Sequence, residues 1–341
     1  MTSKLLILYT GGTIGMVQTD DGLAPSSGLQ ARIHDTLGES LDDLPEFDLI
    51  ELNPLIDSSN ITPSNWSQIY DALQQHWHEY AGFIVLHGTD TLAYTAGALS
   101  FMLGTCNKNV IITGSQIPLG MGRSDANSNL ESAMALAVEP SFGMVSVLFH
   151  HTLMQGSRVT KFSSHDFSAF QSFNAEPLAK LSIHKQFAGT ALNPSALQAP
   201  AKRHYEFDNN GVGILVLHPG MSDYAYEGFL KDPECRAVII QTYGAGNIAD
   251  QNTGFVDFLS KMQQAQKPVI NVTQCAHSGT AQGAYASGSL LCKLGILDGK
   301  DITLEAAFAK LHWLLAQSYS YEQIQQQWPQ ALIDEMTSSE A

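Results

Sequence analysis

Seven short apolar runs set what this chain can fold into: KLLILY (4–9), GFIVLH (82–87), NVIITG (109–114), GMVSVLFH (143–150), VGILVLH (212–218), AVIIQTY (237–243) and PVINVTQ (268–274). Each is a continuous stretch of Val, Ile and Leu rather than an alternation of apolar and polar residues. Such runs suit strands covered on both faces, the pattern of a parallel sheet. Parallel neighbours need crossovers, and the intervening stretches carry helical periods. Thr62 and Pro63 give an N-cap and first-turn signal, after which Trp66, Ile69, Tyr70, Leu73 and Trp77 fall on one stripe. Thr303 caps a second stripe of Leu304, Ala307, Phe308, Leu311, Leu314 and Leu315. Strand, helix and strand in repetition predict an α/β fold with right-handed crossovers.

The stretch ALNPSALQAPAKRHYEFDNNG (191–211) interrupts this rhythm, being rich in Ala, Pro and Asn and without a sustained period. It reads as a connection between two α/β domains. The expected division is a larger N-terminal domain over 1–190, with a mostly parallel sheet, and a smaller C-terminal parallel-sheet domain over 212–341. A hydrophobic fraction of 44% is enough to fill both cores.

Charge narrows the partners. With 17 basic and 33 acidic side chains the net charge is −16, which repels nucleic acid and anionic membrane alike. The four cysteines (Cys106, Cys235, Cys275, Cys292) are scattered, with no CxxC pair and no zinc-ligand spacing. They read as reduced thiols, in keeping with a cytoplasmic protein. The N-terminal apolar run, Leu5 to Tyr9, is too short for a signal-peptide core, and no later run approaches a membrane span.

Reactive side chains gather just after the runs: Thr13 after the first, His87, Thr89 and Asp90 after the second, Thr113 and Ser115 after the third, Asn247 after AVIIQTY. In open α/β sheets the carboxyl ends of the strands are where ligands bind. TGGTIG invites comparison with the dinucleotide fingerprint, but Gly11, Gly12 and Gly15 give GGxxG, and a long polar loop follows instead of a helix. Paired glycines also permit close backbone approach and display the next side chain, here Thr13. A threonine hydroxyl is a weak nucleophile that needs a base within reach, and a lone Thr13 is more often a turn residue than a catalyst. In HGTDT (87–91) a hydroxyl, Thr89, stands beside a carboxylate, Asp90, a workable hydrolytic pair; Asp90 equally suits the N-cap of the helix that follows. Lys161 becomes a candidate base only if burial lowers its pKa. His76, His78, His150 and His151 lack an accompanying carboxylate or cysteine set and read as surface or core residues rather than metal ligands.

Together, TGGTIGM (10–16), HGTDT (87–91) and Lys161 resemble the bacterial asparaginase family. YTGGTIGM, DSSNITP (57–63), LHGTDTLAYTA, TGSQIPL (113–119) and YGAGN (243–247) resemble its cytoplasmic type I branch, over Leu5 to about Leu315. The resemblance implies that Thr13 attacks the side-chain amide of L-asparagine and forms an acyl-enzyme. Thr89 then positions the hydrolytic water, with Lys161 and Asp90 completing a relay. It implies that Asp90, Ser58 and Ser59 hold the α-ammonium and α-carboxylate, that no metal or cofactor is needed, and that the protein is a homodimer or homotetramer in which Asn247 serves a neighbouring site.

Two departures stand out. Many members carry a tyrosine in the loop after the nucleophile, where this chain reads GLAP with Leu23. Some type I enzymes carry an arginine before YGxGN for an effector asparagine, where this chain has Gln241; Thr273 and Cys275 are the accompanying candidate contacts. Glutamine cannot form the charged fork of arginine. The competing readings are an amidohydrolase of mixed asparagine and glutamine specificity, an ammonia-supplying subunit of a tRNA-dependent transamidation, and a silent amino-acid sensor on the same fold.

Overall fold

All seven runs are strands. The structure, a computed structural model, describes residues 4–20, 22–140, 142–188, 197–282 and 286–338. The chain divides into two units between His204 and Tyr205. That boundary falls within the stretch expected as a connection, of which residues 191–196 lie outside the described residues.

The first unit opens with β1 (Leu5–Tyr9), a hairpin of β2 (Met16–Thr19) and β3 (Gly22–Pro25), helix α1 (Leu29–Leu37) and β4 (Phe47–Glu51). Helix α2 (Pro63–Gln75), β5 (Gly82–Leu86), α3 (Leu92–Leu103), β6 (Val110–Thr113), α4 (Ala126–Ala137) and β7 (Val145–Phe149) follow. It closes with β8 (Thr152–Gln155), the short pair β9 (Thr160–Lys161) and β10 (Phe170–Gln171), then β11 (Ala179–Leu181) and β12 (Lys185–Phe187).

Eight strands form one sheet in the order β12-β11-β8-β7-β6-β5-β1-β4. The five from β4 to β7 are parallel, and β8, β11 and β12 are added antiparallel. Every residue of β1, β5, β6 and β7 is buried, which is why these runs read as uninterrupted apolar sequence. The edge strand β4, FDLIE, is half-buried throughout and carries two acids, so no apolar run announced it.

Helix α2 starts as its sequence predicts. Asn65 Oδ1 accepts from Thr62 N at 2.8 Å, Pro63 occupies the first turn, and the stripe from Trp66 to Trp77 is buried. Trp77 stacks on Phe83 of β5 at 4.9 Å between ring centroids.

His150 and His151 form the two-residue turn that reverses β7 into β8, with Phe149 opposite Thr152. Both have positive φ, 46° and 62°, as the hairpin-favoured turn requires. Sequence rules look for Asn-Gly at such a turn. Histidine tolerates the left-handed region better than most residues, so this pair serves the backbone.

The second unit is a four-stranded parallel sheet in the order β13 (Val212–Val216), β14 (Ala237–Thr242), β15 (Val269–Thr273) and β16 (Leu297–Asp298). Its helices are α5 (Glu227–Lys231), α6 (Thr253–Gln264), α7 (Ala286–Lys293), α8 (Leu304–Ala316) and α9 (Tyr321–Gln327). One core gathers Tyr226, Phe255, Phe258 and Met262, and a second gathers Ile270, Leu311, Leu314 and Trp328. Thr303 caps α8 as expected, its side chain accepting from Ala306 N at 3.1 Å.

Candidate active site

In the first unit, crossovers from β1 run to β4 on one side and onward to β5, β6 and β7 on the other. The winding therefore reverses between β1 and β5, and the crevice at the carboxyl ends of these strands is where an open α/β sheet holds a ligand. Thr13 follows β1 and HGTDT follows β5, so both motifs lie at that reversal.

Glycines let the loops meet backbone to backbone. Gly12, at φ 88°, faces Gly88, and a Cβ on Gly12 would collide with the Gly88 backbone. A Cβ on Gly88 would strike Ser58, and one on Gly11, at φ 127°, would strike the Ile56 carbonyl. Three loops thus converge: the TGGT turn that carries Thr13, HGTDT and DSSN. Thr91 Oγ1 donates to Ser58 O at 2.7 Å, and Asp90 N donates to Ser58 Oγ at 3.3 Å. Ser58 is buried, while Ser59 is exposed with its N–H on Asp57 Oδ1.

Lys161 enters from β9, which pairs with β10. Its Nζ donates to Thr89 Oγ1 and to Asp90 Oδ1, each at 2.8 Å. The lysine side chain is 19% exposed and that of Asp90 61%, so the ammonium is largely covered while the carboxylate remains open to a ligand. The alternative use of Asp90 as a helix cap is not what the chain adopts. The cap position of α3 is Thr91, and the Asp90 carboxylate is on Lys161.

Beneath the HGTDT turn lies His87, fully buried. Its Nδ1–H donates to Gly88 O at 2.7 Å, which leaves Nε2 to accept from Thr95 Oγ1 at 2.9 Å. Burial holds its pKa down to about 4, so this imidazole is neutral at pH 7. It fixes the turn that carries Thr89.

Tyr9 sits under the turn that carries Thr13, with its hydroxyl on Gly12 O at 3.4 Å. Burial pushes its pKa up to about 12, so it cannot accept the Thr13 proton near neutrality. Leu23 lies on β3, and its side chain is among the exposed large apolar groups. Arg32 of α1 holds both feet of the β2–β3 hairpin, donating to Gly15 O at 2.9 Å and to Ser26 O and Ser27 O at 3.1 and 2.7 Å.

Two further contributors were not singled out from sequence. Asp125, buried just ahead of α4, accepts from Gln116 N and Ile117 N at 3.0 Å and from Asn129 Nδ2 at 3.2 Å. Asn129 Nδ2 also donates to Gly114 O at 3.0 Å. This network shapes the loop after β6 and presents Gln116, whose Oε1 lies 3.5 Å from Thr89 Oγ1. The available signal was the polar TGSQIPL stretch at a strand end; nothing in it marked Gln116 above its neighbours.

In the second unit, Asn247, Gln241, Thr273 and Cys275 gather at the carboxyl ends of β14 and β15. Thr273 Oγ1 donates to Gly244 O at 2.5 Å and accepts from Cys275 N at 3.0 Å. Tyr243 and Asn247 exchange backbone hydrogen bonds of 3.0 and 2.8 Å, and Gln241 O accepts from Gln274 Nε2 at 2.9 Å. Among the described residues, no three or more His, Cys, Asp or Glu cluster in a way that could hold a metal ion, and no helix is long and apolar enough to cross a membrane.

Comparison with known proteins bears on the whole chain. Residues 4–192 match the family model described as "Asparaginase, N-terminal", and residues 211–327 match "Glutaminase/Asparaginase C-terminal domain". L-asparaginase 1 of Escherichia coli is 38% identical over 342 residues, covering 98% of each chain. The crystal structure of L-asparaginase I from Vibrio cholerae superposes with a TM-score of 0.87 at 35% identity, covering 99% of this chain and 100% of that one. The thermostable L-asparaginase from Thermococcus kodakarensis gives a TM-score of 0.88 at 30% identity, covering 98% and 100%.

Proposed function

This chain belongs to the asparaginase family, and on that premise we propose how its own residues carry the reaction. The enzyme is an amidohydrolase that converts L-asparagine to L-aspartate and ammonia. The Thr13 hydroxyl attacks the side-chain amide carbon. The C–N bond breaks, ammonia leaves with the proton that Thr13 gave up, and an aspartyl ester remains on Thr13. Water held by Thr89 then attacks the ester carbon, releasing L-aspartate and restoring the hydroxyl.

The observation that carries this reading is the position of Lys161. Its Nζ touches Thr89 Oγ1 and Asp90 Oδ1 at 2.8 Å, on a loop whose Gly88 abuts the residue before Thr13. With Leu23 where a tyrosine would stand and Tyr9 protonated, we assign removal of the Thr13 proton to Thr89, which passes its own hydrogen to Lys161 Nζ in the amine form, 2.8 Å away. Backbone N–H groups around Thr13 and Thr89 form the oxyanion hole, at on the order of 3 kcal/mol per donor.

The open carboxylate of Asp90 takes the α-ammonium of the substrate. Ser58 Oγ accepts from Asp90 N, which leaves its own hydrogen for the α-carboxylate; Ser59 stands beside it. The protein works as a cytoplasmic homodimer or homotetramer in which Asn247 reaches a neighbouring site, and Gln241, Thr273 and Cys275 line an effector position that lacks arginine. Light scattering tests the oligomer, where a monomer at working concentration would remove the assigned role of Asn247.

The function is tested by ammonia release from L-asparagine and L-glutamine assayed in parallel. Turnover of asparagine with little of glutamine is expected. Equal turnover of both would establish the mixed-specificity enzyme, and binding without turnover the silent sensor.

A further inference from the structure

We infer that Arg32 is a positioning residue that keeps the Thr13 hydroxyl in line for attack by fixing the backbone just downstream of it. The inference rests on Thr13 being the nucleophile, as proposed above.

Upstream of Thr13 the chain has little stiffness of its own. Gly11 and Gly12 take φ of 127° and 88°, and neither carries a side chain that would restrict rotation. Downstream, four successive carbonyls are occupied. Gly12 O accepts from Gly15 N at 3.2 Å, and Thr13 O accepts from Met16 N. These two bonds close the turn but do not orient it. Ile14 O accepts from Leu119 N at 3.1 Å, and Gly15 O accepts from Arg32 Nη2 at 2.9 Å. Together with the longer contact from the Tyr9 hydroxyl, these last two tie the turn to the rest of the fold.

Of the three ties, that from Arg32 is the shortest and the one that is charge-assisted. Its anchor is firm. Leu29, Ile33 and Leu37 of the same helix are buried, and Leu29 N donates to Glu51 Oε1, at the end of β4, at 2.9 Å. A guanidinium presents five hydrogens in a rigid planar fork. Nη2 serves Gly15 O and Ser26 O while Nη1 serves Ser27 O, so one group spans both feet of the β2–β3 hairpin. Any displacement of the hairpin tip is thereby stopped at the guanidinium before it reaches Gly15.

The α-ammonium and α-carboxylate of the substrate are assigned to Asp90 and Ser58. The three acceptors of Arg32 lie on neither of those loops. Losing Arg32 therefore leaves the substrate bound and moves the nucleophile. A misplacement of about 1 Å is enough to cost on the order of a hundredfold in rate.

Turnover and the affinity for an aldehyde test this role together. In L-aspartate β-semialdehyde an aldehyde replaces the side-chain amide. Thr13 Oγ adds to the aldehyde carbon, the hydroxyl hydrogen passes to the former carbonyl oxygen, and a hemiacetal forms with nothing released. Its affinity relative to that of L-aspartate, both measured by calorimetry, reports the alignment of the hydroxyl apart from the fold. We expect Arg32→Met to lower kcat by roughly tenfold to a hundredfold, with L-aspartate affinity near wild type and aldehyde affinity reduced. Arg32→Lys keeps one donor for Gly15 O and should fall between wild type and Arg32→Met in both readouts. If Arg32 served only the stability of the fold, Arg32→Met would melt earlier yet keep kcat and the affinity ratio, and the inference would fall. Equal losses of aldehyde and L-aspartate affinity would overturn it, as would a lysine variant no better than the methionine one. Thr13→Ala is measured alongside. Undiminished aldehyde affinity there sinks the reading of Thr13 itself, whereas a loss in Thr13→Ala beside an unaffected Arg32→Met sinks only the present inference.

Discussion

Lys161 joins the two halves of the proposed chemistry, because its Nζ touches both the hydroxyl of Thr89 and the carboxylate of Asp90. Replacing it by methionine preserves the bulk of the side chain and removes the nitrogen. The expected result is a fall in kcat of about 10²–10⁴ with asparagine still bound, as seen by calorimetry; an active Lys161→Met variant would dismiss the assignment. A second residue-scale expectation concerns His87. In the unfolded chain its pKa is 6.5, and in the folded one about 4. Between these values the unfolded state takes up a proton that the folded state refuses, so stability is full above pH 6.5 and declines as the pH falls toward 4. The difference corresponds to about 3 kcal/mol for this one group. Urea titrations from pH 7.5 to pH 4.5 check it, and a His87 resonance titrating near 6.5 in the native protein would contradict it.

At the scale of elements, the proposed active site depends on loops that touch through glycine. Gly12 has φ 88° and no room for a Cβ against Gly88. Gly12→Ala should therefore cost on the order of 3 kcal/mol from strain and displaced backbone, together with most of the activity. Thermal denaturation and ammonia release measure the two, and a stable, active Gly12→Ala protein would mean that the loops do not need this contact. These loops also show what can be read from sequence. Strands β1, β5, β6 and β7 were legible because burial on both faces demands continuous apolar side chains. Thr89, Asp90 and Lys161, which the fold brings into contact, stood out because their motifs are unusual. Strand β4 was not, since an edge strand can be half polar, and the β2–β3 hairpin was hidden in a polar stretch that read as an irregular loop. The His150–His151 turn broke the usual turn chemistry, and Gln116 and Asp125 matter only through partners that are distant in sequence.

At the scale of the whole molecule, each unit has its own core, and that of the second contains a buried ion pair. Lys310 Nζ donates to Trp328 O, Gln330 O and Glu335 Oε1 at 2.8, 2.7 and 2.5 Å, with both charged side chains fully buried. Such a pair adds little over well-packed apolar residues, but breaking it leaves an unpaired buried charge. Lys310→Met should lose about 3–5 kcal/mol in urea unfolding, and adding Glu335→Leu should restore much of the loss. No restoration would mean that the lysine acts mainly through its two carbonyl partners. The proposed nucleophile of the whole molecule is the Thr13 hydroxyl, displayed by the glycine turn where the sheet reverses its winding. The most direct test is ammonia release from L-asparagine by wild type and Thr13→Ala, with asparagine binding to the variant measured by calorimetry. A loss of turnover of roughly 10³-fold or more with binding retained is the predicted result. Turnover of Thr13→Ala within tenfold of wild type would place the nucleophile elsewhere.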